Sequence, residues 1–276
     1  MKKIFFIIPV LIFLFTSCEK VVEIDVPSIA PKLIIDASFE VYFTQNTVTA
    51  STVVKLTQSA DYFDETIPPV TNATVTITDL SDNSMINFTD ILGNGNYTPN
   101  NSFVPKENTE YELTVVHNNQ TYKGKASRVK STPIIDVNQG DKGLFPGTVA
   151  EIKVKIQDQI NVNNYYFFDF SANNYSVLED RFFDGQEYEV PNFYQEDEIE
   201  FPTTVTIKML GISKAYFTYM RILISQSGQN GGGPFETVPT SLLGNMINTT
   251  NDANFPLGFF HIGEASTYDI KLVDKN

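Results

Sequence analysis

His117 and His261 are the two side chains of this chain that can exchange a proton near neutral pH at their unperturbed pKa. A histidine works as a base when a nucleophile and an orienting group stand beside it, and neither has such a motif nearby. There is no Gly-x-Ser-x-Gly elbow, no His-Glu-x-x-His pair and no EF-hand loop. Both are read as packed or surface histidines, His117 beside a predicted hairpin turn and His261 after Phe259-Phe260. Carboxylates come next. Asp61, Asp64 and Glu65 share a loop, Glu179-Asp180 and Asp184 flank Arg181, and Glu196-Asp197-Glu198 with Glu200 form the densest acidic run. Loops with alternating acids can supply the oxygens that calcium takes, six to eight of them, but the same run also suits a solvated turn. Solvation is the expected reading, so no metal and no cofactor is assigned. A hydrolase acting on a glycan or peptide would draw on Asp184, Glu196 and Glu198; a glycosidase needs two carboxylates across a sugar, which sequence spacing does not fix.

Aromatic pairs are the other chemistry-bearing groups. The chain has 22 Phe and 13 Tyr but no Trp, so a sugar-stacking platform would have to use Tyr or Phe. Tyr62-Phe63, Phe182-Phe183 and Phe193-Tyr194 fall in predicted loops, where exposed rings mark a ligand rim or a protein partner. Core filling is the competing role for each. The 33 acidic against 19 basic residues give a formal charge of −14, which argues against nucleic acid as a partner.

One stretch decides where these groups are displayed. Lys2 and Lys3 precede an uncharged apolar run, Ile4–Phe15, too short to span a bilayer and suited to a signal-peptide core. It closes on Phe15-Thr16-Ser17-Cys18, which resembles the lipobox of a bacterial lipoprotein; Phe15 departs from the usual aliphatic, with Leu14 one place early. That resemblance implies cleavage of residues 1–17 and acylation of Cys18. Each buried methylene contributes about 0.8 kcal/mol of membrane attachment, so several chains hold where one would not. Loss of those 17 of 276 residues leaves 259, and loss of two lysines and no acids takes the charge from −14 to −16. With the sole cysteine carrying lipid, neither a disulfide nor a zinc–thiolate site is available. Residues 18–30, interrupted by Pro27, read as a tether. Their acids Glu19, Glu23 and Asp25 loosely resemble a surface-export signal, though linker charge explains them as well. The expected place is the outer membrane, on either its surface or its periplasmic side.

Two β-sandwich-like units are expected to position these groups, giving a mainly β fold with one short amphipathic helix. In residues 31–130, alternation at Lys32–Ala37, Val48–Thr57, Ala73–Thr78, Met85–Thr89, Tyr111–Val115 and Tyr122–Arg128 gives about seven short strands, as in an immunoglobulin-like sandwich. Gly93-Asn94-Gly95-Asn96 and Asn118-Asn119 read as turns. Ser131-Thr132-Pro133 marks the expected boundary to a second β-rich unit, 131–276. There Val149–Gln157, Tyr165–Phe170, Thr203–Met209, Pro256–Ile262 and Ser266–Val273 read as strands, with Tyr165–Phe170 between two layers. Ser213–Gln226 reads as a helix, capped by Ser213 and stopped at Gly228, with Tyr216, Tyr219, Met220 and Leu223 at helical spacing. Gly231-Gly232-Gly233 reads as a turn.

The order of several segments resembles a known family. Cys18-Glu19-Lys20-Val21, Pro31–Ile35, Val54–Phe63, Pro68–Asp79, Gly95-Asn96-Tyr97, Phe182–Gln186, Pro234-Phe235, Gly244-Asn245 and Leu257–Phe260 are similar, in that order, to the Bacteroidota lipoproteins grouped as domain of unknown function 4249. The resemblance implies a β-rich outer-membrane lipoprotein, often encoded beside a TonB-dependent receptor, and brings no catalytic residues. The expected role is a non-catalytic binding or accessory module on such a transporter, rather than a carboxylate hydrolase or a surface adhesin.

Overall fold

The computed structural model describes residues 30–61, 64, 66–141, 148–227 and 242–275. Cys18, the tether up to Ile29, Tyr62-Phe63, Gly228 and the glycine triplet lie outside these residues. The first half of the chain supplies β1 (Leu33–Tyr42), β2 (Thr49–Ser51), β3 (Val54–Gln58), β4 (Thr74–Asp79), β5 (Met85–Thr89), β6 (Asn96–Pro99), β7 (Glu110–His117) and β8 (Gln120–Val129). The second supplies β9 (Ile134–Gln139), β10 (Thr148–Gln157), β11 (Tyr165–Asp169), β12 (Tyr175–Glu179), β13 (Glu187–Gln195), β14 (Thr203–Gly211), helix α1 (Lys214–Gln226), β15 (Ile247–Asn248) and β16 (Leu257–Leu272). The fold is mainly β, with one α-helix among the described residues.

β16 organises the whole. Its first part pairs parallel with β1, from Ile34 opposite Leu257 to Tyr42 opposite Ala265. Its second part pairs antiparallel with β14, from Leu210 opposite Ala265 to Thr203 opposite Leu272. One sheet therefore runs β12-β11-β14-β16-β1-β3, and both units hang from it. Successive residues of a strand point to opposite faces, and the packing follows that alternation. On one face Phe260 and Ile262 join Ile35, Phe39, Leu56, Ile77 and Leu113 in the first core, closed by β4, β5, β7 and β8. On the same face, further along, Leu272 joins Ile152, Val154, Phe168, Ile207 and Met209 in the second core, closed by the separate sheet β13-β10-β9. The other face carries α1, whose Tyr216 and Phe217 pack with Phe259, Leu210 and Ala265.

A boundary at Ser131 thus separates the two covering layers but not the sheet they share. Residues 242–265, placed by sequence in the second unit, give Met246, Phe260 and Ile262 to the first core. The crossing is pinned to β16. Glu264, buried between the two cores, accepts the backbone N–H of Ser131 at 3.0 Å and pairs with Arg128 Nη2 at 2.8 Å. Ser266 Oγ accepts the N–H of Ile134 at 3.0 Å.

Gly263-Glu264-Ala265 reads in sequence as a break between two strands, yet β16 runs through it unbroken. A Cβ at Gly263 would stand 2.4 Å from the carbonyl oxygen of Gly211, so glycine is there to let β14 approach. The expected strand Val48–Thr57 divides instead into β2 and β3. β13 lies where a loop is expected, because Pro191 and the acids of its sequence hide an edge strand, the position where proline costs no ladder bond. The Asn118-Asn119 hairpin takes its expected positive φ, 48° and 59°.

Candidate functional site

Leu33, Ile35, Ala37, Phe39 and Val41 of β1 fill the first core, which turns Ile34, Asp36, Ser38 and Glu40 toward α1. Parallel pairing sets Phe259 of β16 beside Asp36, and His261 beside Ser38. The helix is fixed above them. Ser213 begins it, its hydroxyl accepting the N–H of Tyr216 at 3.2 Å, the kind of N-cap that contributes about 1 kcal/mol. Tyr216 then stacks on His261 at 4.5 Å between ring centroids and leans on Phe259 at 4.9 Å. Tyr219 continues the wall, 6.1 Å from Tyr216 and 5.1 Å from Phe259.

Between helix and sheet a groove of about 500 Å³ remains open, walled by Ile34, Tyr216, Tyr219, Met220, Leu257 and Phe259, with Asp36 as its carboxylate. Asp36 is reached by solvent but enclosed by protein on most sides. Burial raises its pKa, and Lys55 on the neighbouring strand opposes that rise. Burial likewise raises Tyr219, with Asp36 adding to the effect. The site presents ring faces and aliphatic surface with one carboxylate and, from Gln226, one amide. Chemically it suits a ligand with an apolar body and a hydrogen-bond donor or a positive charge, the usual make-up of a small-molecule pocket.

His261, 2 % exposed, is sealed behind Tyr216, and burial pushes its pKa down to about 3, so it is neutral at physiological pH. Burial also lowers His117, at the β7 end of the hairpin. Both are packed residues, as the sequence suggests.

The four described loop aromatics divide between core and surface. Phe182 is 86 % exposed, while its neighbour Phe183 is buried and stacks on Tyr188 at 4.3 Å. Tyr194 is buried in β13 and donates to the carbonyl of Phe170 at 2.6 Å. Phe193 is half-buried on the opposite side of that strand, so Phe183 and Tyr194 are core residues and Phe182 and Phe193 are the described rings that reach solvent. Tyr62 and Phe63 are outside the described residues. Of the acids, Glu198 folds back to accept the N–H of Gln195 at 2.8 Å, and Asp184 approaches Asp158 and Asp180. Sequence reasoning missed Asp36, Tyr219 and Phe259 as one site. Its signal was present in Leu33–Tyr42, where the alternation that fills a core with odd positions leaves Asp36 on the opposite face.

Fold and groove define a class, mainly β proteins in which two sandwiches share one sheet and a helix roofs its outer face. The particular family follows from the sequence: a model described as Domain of unknown function (DUF4249) matches residues 19–269, and the chain belongs to that family. No curated protein matches the chain.

Proposed function

We propose that this chain is a non-catalytic binding module, held at the outer membrane by lipid on Cys18, that docks on a TonB-dependent transporter and helps capture its cargo. The groove beside α1 carries the reading, since among the described residues its lining offers ring faces, the Gln226 amide and one carboxylate, Asp36, with no histidine, serine, threonine or cysteine. The acidic balance of the chain favours cargo that carries a positive charge or hydrogen-bond donors. Affinity purification from detergent-solubilised membranes tests it. The tagged chain is expected to bring down a barrel partner, and Cys18→Ser to leave the membrane fraction. A chain that always elutes alone, or an N-terminal peptide that carries no fatty acid in the mass spectrum, would overturn the docking or the anchor respectively.

A further inference from the structure

We propose that Asp158, Asp180 and Asp184, together with the side-chain oxygen of Asn164, form a calcium-binding site at the outer end of the second sandwich. The three carboxylates offer oxygens that all lie within 4.8 Å of one another. Calcium holds oxygens at about 2.3–2.6 Å in flexible geometry, so ligands up to about 5 Å apart can share it, whereas magnesium demands near-ideal octahedral geometry and keeps several waters. Asp158 and Asp180 are buried and Asp184 is exposed, which leaves the cluster a mouth to solvent.

Each carboxylate is aimed by a neutral donor. Gly185 N–H donates to Asp158 Oδ2 at 2.9 Å and Tyr166 Oη to its Oδ1 at 2.5 Å. Asn164 N–H donates to Asp180 Oδ2 at 2.6 Å, and Asn161 N–H to Asp184 Oδ1 at 2.9 Å. Such bonds orient the acids and leave lone pairs over, but bring no positive charge. Among the described residues none of the three makes an ion pair with Lys or Arg. Arg181, their neighbour in sequence, lays its guanidinium over the Phe182 ring at 5.6 Å.

An independent observation points the same way. Asn164 is 9 % exposed, and its Oδ1 is buried with no hydrogen-bond partner. Tyr165 pairs with Glu179 in the β11–β12 ladder, so the next pair outward is Asn164 with Asp180, where Asp180 N–H donates to the Asn164 carbonyl at 3.1 Å. Residues directly opposite in an antiparallel pair present side chains on one face, Cβ atoms about 4.5–5.5 Å apart. Tyr166, two residues on, uses that same face to reach Asp158. A buried acceptor without a donor is costly, and the ladder register puts this one on the face that carries Asp180. An oxygen-loving cation satisfies all four at once, tying the end of β10, the start of β11 and the turn after β12.

Calorimetric titration of CaCl2 into the purified full chain, stripped with EDTA, is the test. One saturable event is expected, with a Kd of about 10⁻⁴ to 10⁻³ M, the range of extracellular calcium modules. Asp184→Asn, a change at the exposed rim, is expected to weaken it by at least the ~10–100-fold that loss of a supporting group costs a metal site. Glu198→Gln, outside the cluster, is expected to bind as the parent does. No saturable heat up to about 10 mM, or unaltered binding by Asp184→Asn, overturns the site. Equal weakening in both variants assigns the heat to diffuse acidic surface and overturns it too. Equal affinity for MgCl2 overturns the choice of calcium.

Discussion

Asp79 and Asp180 are both buried aspartates where a strand gives way to a turn, and the molecule treats them in opposite ways. Asp79, closing β4, accepts from Lys106 Nζ at 2.9 Å, from Ser81 N–H at 2.9 Å and from Ser81 Oγ at 2.5 Å. Those bonds, with Lys106 foremost, hold its pKa down at about 2. Asp180, following β12, accepts a single N–H from Asn164; burial raises its pKa, and Asp158, Asp184 and Glu179 add to that rise. Glu264 belongs with Asp79, since Arg128 and the Ser131 N–H satisfy it. Where an acid serves the architecture, the sequence supplies it with a cation. Where it supplies none, the acid is available to something outside the chain.

The strongest way to break that distinction is to remove one acid of each kind. Arg128 and Glu264 have side chains 9 % and 7 % exposed, so Glu264→Ala leaves a buried guanidinium with only the Pro105 carbonyl at 3.3 Å and the half-exposed Glu107 at 3.9 Å, and frees the crossing at Ser131. Loss of one partner from a buried pair costs about 3–5 kcal/mol, and urea unfolding is expected to show a loss of that size. Asp180→Asn keeps an acceptor for the Asn164 N–H while removing like-charge repulsion. In calcium-free buffer it is expected to be at least as stable as the parent. A loss equal to that of Glu264→Ala would erase the contrast between the two acids.

How far each kind of residue could be read from sequence follows from the range of its contacts. Alternation is local, so β4, β7, β10 and β14 were legible with their buried faces, Ile77, Leu113, Val154 and Ile207 among them. The N-cap at Ser213 and the Asn118-Asn119 turn are local as well. The parallel pairing of β1 with β16 joins the two ends of the chain, and no local pattern announces it. The groove inherits that difficulty, because Asp36, Tyr216 and Phe259 meet only after the ends have paired. The acidic cluster was half legible: Asp180 and Asp184 stood out in the sequence, whereas Asp158 and Asn164 arrive through β10 and the β11–β12 ladder.

Acid titration sharpens the comparison with a smaller effect. Asp79 has a folded pKa below its unfolded value of 3.8, so its contribution is complete above about pH 4 and is lost as pH falls through that value toward about 2. Asp180 is shifted the other way. Ionised, it destabilises the fold at neutral pH, and that cost disappears as pH falls through its raised pKa toward 3.8. Calcium-free chain is therefore expected to gain stability on mild acidification from neutrality and to lose it only on stronger acidification. Asp180→Asn is expected to reduce the gain and leave the loss in place. A parent whose unfolding midpoint in urea falls monotonically from pH 7 would contradict the assignment of Asp180 to the unpaired class.

The smallest expected effect decides where Asp36 belongs. It faces Lys55 across the ladder, and that lysine opposes the rise in its pKa. Its surroundings on the other side, among the described residues, are rings, aliphatic carbons and the Gln226 amide, with no charge to hold it. An architectural acid in that position would be costly to neutralise, as Glu264 is. An acid kept for a ligand would not be, because water reaches it when the groove is empty and nothing in the fold depends on its charge. Asp36→Asn is expected to change stability by no more than the ~0.5 kcal/mol typical of surface positions, read again by urea unfolding. A loss of several times that size would place Asp36 with Asp79 and Glu264, and the groove would then be a seam of the fold with no carboxylate left over for cargo.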